Sequence, residues 1–153
     1  MSWSELQFGK HIGLTLPQVL FTDPGWFFWA LRLPLRGEVG YEASILAPKA
    51  TRIRVPQAEG CRLIVEYILD PRGGGLAGVQ IIPEAEGGDG GGSTSFTRPW
   101  IDLSVPSQLA HYDKTGGKII ISFLKETYFG STRHRMTREL CSGFFHDPSN
   151  FLP

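Results

Sequence analysis

Two glycines, Gly9 and Gly13, punctuate the first segment of this chain and predict a tight hairpin or bend over 8–14. A helix start follows at once, because Thr15 and Gln18 have the spacing of a capping box. In a capping box each side chain satisfies the backbone amide of the other residue. The segment therefore predicts a turn that leads directly into a short helix, which sets the direction of the chain from its beginning.

A second helix start lies close behind the first. Asp23 suits the N-cap, and Pro24 suits the first helical position, where no amide partner is lost. The second helix is predicted to run from Pro24 to Leu31 or Leu33, and Pro34 stops it.

This second helix carries four consecutive aromatic residues, Trp26, Phe27, Phe28 and Trp29. Four successive residues point all round a helix, and a helix that is apolar on every side is usually buried. We therefore expect core packing, above all for Phe27 and Trp29. Aromatic faces also stack on the bases of single strands, so Trp26 is a candidate binding residue.

The same segment carries a sequence motif. It reads Phe8-Gly9-Lys10-His11-Ile12-Gly13, then Leu16 and Val19, then Asp23-Pro24-Gly25-Trp26-Phe27-Phe28-Trp29. The motif resembles the small module at the C-terminus of exodeoxyribonuclease X-like proteins, which also occurs as a short free-standing domain in bacteria and phages. The resemblance covers residues 4–34 and does not extend to the catalytic domain of those nucleases. It implies a module associated with nucleic-acid processing, in a bacterial or phage protein.

Lys10 and His11 are candidate contacts because they lie between the two turn glycines. In such a bend, backbone amides and a lysine ammonium together hold a phosphate. In the alternative, the glycines only supply positive φ angles and Lys10 is solvated. Ile12 and Leu14 are apolar where the module often has basic residues, which predicts a face packed on the rest of the chain.

The charge pattern is uneven although the net charge is zero. Zero net charge argues against strong non-specific binding of polyanions, since that affinity comes largely from Lys and Arg. Residues 32–54 carry five basic and two acidic side chains, and residues 113–138 carry six basic and two acidic. If these two basic segments meet in the fold, they form a positive face; otherwise the charge is scattered and solvated.

Arg133, Arg135 and Arg138 form the sharpest local basic cluster. Arg135 and Arg138 are three residues apart in a predicted helix and should share one face. They are candidate contacts for phosphate or for an acidic partner, and the alternative is a solvated helix face.

After Gly40 the pattern changes to strand periodicity. The predicted strands are Tyr41–Leu46, Thr51–Val55, Cys61–Leu69, Leu76–Ile82, Trp100–Val105 and Lys118–Phe129, and a helix is predicted over Thr132–Gly143. A flexible Gly/Ser-rich loop is predicted at 87–97. We therefore predict one α+β domain over 1–153, in which a turn-helix-helix module at 4–34 packs on a mainly antiparallel sheet closed by a C-terminal helix.

The sequence lacks the signals that are typical of disulfide-rich, zinc-binding, secreted and membrane-spanning proteins. Cys61 and Cys141 are too few for a disulfide scaffold, and neither pairs with a histidine at zinc-ligand spacing. The start of the chain shows no secretory signal, and no apolar run is long enough to span a bilayer. We expect a cytoplasmic protein with no membrane partner, no metal and no cofactor. The oligomeric state is left open.

Two functions of different class follow from these features. The leading hypothesis is a non-catalytic binding protein associated with nucleic acid or a nucleic-acid-processing complex. The alternative is a protein-interaction or accessory factor of phage or mobile-element type, which exposed aromatics such as Trp3 and Trp26 would favour. An enzyme that uses histidine is a third reading, but no catalytic constellation supports it.

Overall fold

In the computed structural model, the described residues are 2–87, 94–109 and 113–153. Within them the helices are α1 (Leu16–Leu20), α2 (Pro24–Ala30), α3 (Gly37–Ala50), α4 (Val105–Leu109), α5 (Lys114–Phe129) and α6 (Arg138–His146). The strands are β1 (Ile53–Arg54), β2 (Leu63–Leu69), β3 (Leu76–Pro83), β4 (Ser95–Arg98) and β5 (Trp100–Ile101). This composition confirms the predicted α+β class, and α6 is the predicted C-terminal helix.

The predicted turn and the two helices after it are present. The turn closes where the Leu6 amide donates to the Leu14 carbonyl at 2.8 Å and the Gly13 amide donates to the Leu6 carbonyl at 2.9 Å. The Thr15 amide donates to Gln18 Oε1 at 3.1 Å, which is half of the predicted capping box. Local signals therefore determine this part of the fold.

Two separate antiparallel sheets make up the β structure of the described residues. In the larger sheet β2 is central, and Tyr67 pairs with Val79 of β3 on one side and Phe96 of β4 on the other. In the smaller sheet Ile53 of β1 pairs with Ile101 of β5. The predicted antiparallel pairing and the hairpin from β2 to β3 are confirmed.

Two predicted strands are helical instead. Residues 41–46 belong to α3, and residues 118–129 belong to α5. In α5 the β-branched isoleucines favour a strand by propensity, yet Ile120, Ile121 and Leu124 are buried at helical spacing. The helix is also capped at both ends, by the Asp113 side chain and by Gly130 with φ +78°. Packing periodicity and caps outweigh residue propensity here.

Three further boundaries differ from the prediction. The strand predicted over Trp100–Val105 ends at Ile101, because Asp102 Oδ1 accepts from the Ser104 amide at 2.8 Å and turns the chain into α4. The helix predicted over Thr132–Gly143 is α6, which Thr137 caps and which runs on to His146. Of the loop predicted at 87–97, residues 88–93 lie outside the described residues and 95–97 belong to β4.

The core lies where α1 meets α6, α2 and α3. Phe21, at the end of α1, contacts the rings of Phe144 and Phe145 with centroids 5.2 and 5.7 Å apart. On the other side of the molecule α2 contacts α4 and α5, and α5 packs along β3. Helix α5 thus links the turn-helix-helix segment to the larger sheet. Within the described ranges, every helix is too short or too polar to cross a membrane.

The buried hydroxyl of Tyr67 joins the two sheets, and its removal tests this architecture. It donates to the Trp100 carbonyl at 3.1 Å and accepts from the Asp102 amide at 2.8 Å. Tyr67→Phe leaves both backbone groups without this partner, so we expect the free energy of unfolding in urea to fall by about 1–3 kcal/mol. Tyr41→Phe is the control, because Tyr41 is 63% exposed. Equal stability of Tyr67→Phe and wild type would contradict the assigned role.

Candidate binding pocket

A cavity of about 690 Å³ lies between the turn at 8–11, helix α2 and the start of α5. We call it the pocket. Its lining is aromatic and basic, with two carboxylates and two hydroxyls. The lining includes the side chains of Phe8, Lys10, His11, Asp23, Trp26, Trp29, Arg32, Ser107, Asp113, Lys114 and Lys118. A volume of this size suits one small ligand or one or two nucleotide units, since small-molecule pockets span about 300–1,000 Å³.

Asp23 holds the turn against α2 and so forms one side of the pocket. Its Oδ2 lies 2.8 Å from Lys10 Nζ and 3.0 Å from His11 Nε2. Its Oδ1 accepts from the Trp26 amide at 3.3 Å, which caps α2. Burial raises the pKa of Asp23, but hydrogen bonds from Lys10 and His11 and the charge of Lys10 outweigh it, and the pKa lies below 3.8. The carboxylate is therefore charged at neutral pH.

The aromatic wall of the pocket includes the two tryptophans of α2, one buried and one exposed. Trp26 is 8% exposed; its ring lies edge-on to His11 and covers the backbone at Gly9, where a Cβ would come within 2.8 Å of Trp26 Cζ2. Gly9 also has φ +78°, so glycine is required there on both counts. Trp29 is 52% exposed, with its ring centroid 6.1 Å from that of Trp26.

The predicted core packing of these aromatics is confirmed for Trp26 and Phe27 and wrong for Trp29. Phe27 is buried as expected, but Trp29 is exposed, because α2 faces the core on one side only. Trp3 and Trp26 are both buried, which removes the exposed aromatics that favoured the protein-interaction hypothesis. The packed face predicted from Ile12 and Leu14 is only half present, because Ile12 is 65% exposed whereas Leu14 is partly buried and packs against the core.

The basic wall of the pocket comes from both basic segments. Arg32 belongs to the first segment, and Lys114 and Lys118 belong to the second. In the described part of the chain none of these three forms an ion pair. The two basic segments therefore meet at this cavity, although the chain as a whole has no net charge.

The second carboxylate of the pocket, Asp113, is engaged with backbone amides. Its Oδ2 accepts from the Leu76 amide at 3.0 Å, and its Oδ1 accepts from the Gly116 amide at 2.7 Å. The carboxylate thereby caps α5 and joins it to the start of β3. Counting Lys10, the lining holds four cations against two carboxylates, a net charge of +2 with His11 neutral.

The remaining predicted contact residues lie elsewhere. Arg133, Arg135 and Arg138 are not among the residues that line the pocket, whereas Lys10, His11 and Trp26 line it together. The shared helix face predicted for Arg135 and Arg138 was wrong, because α6 begins at Arg138. Arg138 instead pairs with Glu5, at 2.6 Å between Nη2 and Oε1.

Other basic residues of the first segment anchor the end of the chain. Lys49 Nζ donates to the Phe145 carbonyl at 3.0 Å, and Arg54 Nη2 donates to the Phe151 carbonyl at 3.2 Å. Arg52 Nη1 donates to the Pro153 carbonyl at 3.2 Å. These three cations contribute to the fold. Of the two others in that segment, Arg32 lines the pocket and Arg36 does not.

The His11–Asp23 pair resembles the base and orienting carboxylate of a hydrolase, but its partners are structural. Among the described residues no hydroxyl or thiol forms a hydrogen bond with His11, and Asp23 is shared with Lys10 and the α2 cap. No three His, Cys, Asp or Glu side chains of the described ranges are placed to hold a metal ion, and His111 lies outside those ranges.

Five residues that line the pocket were not predicted as binding residues from the sequence: Phe8, Trp29, Arg32, Lys114 and Lys118. Lys114 and Lys118 are four residues apart, which places them on one face of a helix. The spacing can be read from the sequence, but it places the two lysines on one face only if residues 114–129 form a helix. The sequence instead predicted a strand over 118–129, so the pair was not recognised.

Comparisons with protein-family models, with curated proteins and with solved structures find no match for this chain. The resemblance of residues 4–34 to the exodeoxyribonuclease X-like module stays a prediction.

The charge of Asp23 is tested by Asp23→Asn, because asparagine caps a helix as well as aspartate and removes only the charge. The folded-state pKa lies below 3.8, so the charge stabilises the fold fully above that pH and loses its effect as the pH falls through the folded pKa. We expect urea unfolding to show a loss of about 1 kcal/mol in the variant at about pH 7, and a smaller loss at about pH 2.5. An equal difference at both pH values would contradict this account.

Proposed function

We propose that this chain is a non-catalytic binding protein whose pocket takes single-stranded nucleic acid. One observation carries the proposal: exposed Trp29 lies in the same cavity as four cations in a chain of zero net charge. Aromatic faces for bases together with cations for the backbone are the combination by which proteins hold single strands.

Trp29 is the stacking residue in this proposal. About half of its surface faces solvent, and its ring contacts the ring of Trp26, with centroids 6.1 Å apart. Phe8, on the turn, is the second ring open to the cavity. Stacking on such rings tolerates every base, so the proposed binding has little sequence preference.

Lys10, Arg32, Lys114 and Lys118 are the phosphate contacts in this proposal. Both carboxylates of the cavity have partners within the protein, since Asp23 pairs with Lys10 and His11 and Asp113 accepts hydrogen bonds from backbone amides. The lining as a whole keeps the net charge of +2. Each phosphate that such a cation neutralises releases counterions, so affinity falls as salt rises. A single strand fits better than a duplex, because bases stacked inside a duplex cannot reach the aromatic wall.

A protein partner is the second candidate, and one observation favours it. Phe8 and Leu33, which line the pocket, and Ile12 and Leu31, which are close to them in sequence, are all exposed apolar side chains. Contiguous exposed apolar surface marks interaction sites. This candidate predicts no dependence on phosphate, which separates it from the first.

Fluorescence anisotropy with a labelled oligothymidine across a salt series tests the proposal. We expect log K to fall with log salt with a slope between about −0.7 and −1.4, which corresponds to one or two neutralised phosphates of a single strand. Trp29→Ala should weaken the affinity by roughly 5- to 100-fold, because stacking on one aromatic contributes about 1–3 kcal/mol per base.

Tyr41→Ala is the matched control, since Tyr41 is also an exposed aromatic and does not line the pocket. It should bind as wild type does. No binding of the oligonucleotide at low salt, or equal losses in both variants, would overturn the proposal and favour a protein partner.

A further inference from the structure

We propose that Lys114, Gly117 and Lys118 form the phosphate subsite of the pocket, a claim that rests on the proposed function and specifies its ligand. The ligand class is a phosphorylated nucleotide unit, with its base toward α2 and its phosphate against the first two turns of α5. The phosphate can be a backbone diester or a terminal monoester, since both offer the same anionic oxygens.

The two lysines are arranged to hold one anion together. They are four residues apart on α5, so their side chains leave the same face of the helix one turn apart. Both are exposed, both line the cavity, and neither forms an ion pair within the described ranges. Anionic oxygens of a ligand would therefore be their charge partners.

In this subsite the phosphate binds to side chains rather than to backbone amides. The Gly116 amide donates to Asp113 Oδ1 at 2.7 Å, and the Gly117 amide donates to the Asp113 carbonyl at 2.9 Å. A phosphate at this position therefore finds its donors on the two ammonium groups.

Gly117 supplies clearance between the lysines. At the preceding Gly116 a Cβ would lie 2.2 Å from Asp113 Oδ2, so the helix cap requires glycine there. At Gly117 a Cβ would meet no atom within 4 Å, so packing does not require glycine. Glycine inside a helix costs about 1 kcal/mol relative to alanine. The residue therefore weakens the helix while it leaves open space in the pocket wall.

The position of the aromatic rings determines the orientation of the nucleotide unit. Trp26 and Trp29 belong to α2, whereas Lys114 and Lys118 belong to α5, which is a separate element lining the same cavity. A base stacked on Trp29 leaves its phosphate to the lysines of α5. The two tryptophans on α2 and the two lysines on α5 thus match the base and the phosphate of one nucleotide unit.

The charge of the subsite is tested by Lys118→Ala, with Lys125→Ala as the matched control on the same helix. Lys125 does not line the pocket. We expect Lys118→Ala to weaken oligothymidine binding and to reduce the salt slope by about 0.7, the value of one phosphate contact to a single strand. Lys125→Ala should leave both unchanged. Oligothymidines with and without a 5′-phosphate distinguish the sources: a loss restricted to the phosphorylated strand assigns a terminal monoester, and a loss with both strands assigns the backbone.

The variants Gly117→Ala and Gly117→Leu test whether the space at Gly117 is needed for binding. Gly143→Ala is the control, because Gly143 is an exposed position in α6 where an added Cβ would also meet no atom within 4 Å. Both alanine variants should raise the Tm by about 2–4 °C through helix propensity. Gly117→Leu should weaken binding by about tenfold or more, Gly117→Ala by less, and Gly143→Ala not at all.

The outcomes separate the two claims. Absence of oligonucleotide binding by wild type would overturn both the proposed function and the subsite. Wild-type binding that Lys118→Ala and Gly117→Leu leave unchanged would overturn the subsite alone. The Tm of each variant shows whether it is folded. If Gly117→Leu does not fold, the affinity of Gly117→Ala is compared with that of Gly143→Ala instead.

Discussion

The carboxylate of Asp23 is the contact on which the pocket depends. It caps α2 through the Trp26 amide, and it binds Lys10 and His11 of the preceding turn. One side chain thus determines where α2 begins and where the turn lies against it. Without that contact the turn and the aromatic helix would have no shared charged anchor, and the wall that Trp26 and Trp29 form would lose its fixed relation to Lys10.

Much of the fold followed from the sequence wherever local signals agree. The turn, α1, α2 and the hairpin from β2 to β3 have capping residues, turn glycines or β-branched runs that point to one structure. Helix α5 has conflicting signals, since its isoleucines favour a strand whereas Asp113 and Gly130 cap a helix. Burial of every third or fourth residue against β3 decides that conflict, and burial is a property of the tertiary structure.

The pocket was only partly predictable for the same reason. Lys10, His11 and Trp26 were identified because they belong to one short segment with turn glycines and an aromatic cluster. Lys114 and Lys118 are remote in sequence and reach the site only because α5 contacts α2. Their positions also show how a chain of zero net charge concentrates positive charge in one cavity, while Lys49, Arg52 and Arg54 anchor the chain end. Net charge alone therefore does not show where positive charge is concentrated in the fold.

We propose that single-stranded nucleic acid binds in the pocket. A two-dimensional ¹⁵N NMR titration of the labelled protein with a short oligothymidine tests this proposal. The indole signal of Trp29 and the amides of Lys10, Gly117 and Lys118 should shift together and saturate at one strand per pocket. Shifts confined to Arg133, Arg135 and Arg138, or no shifts at all at low salt, would contradict it.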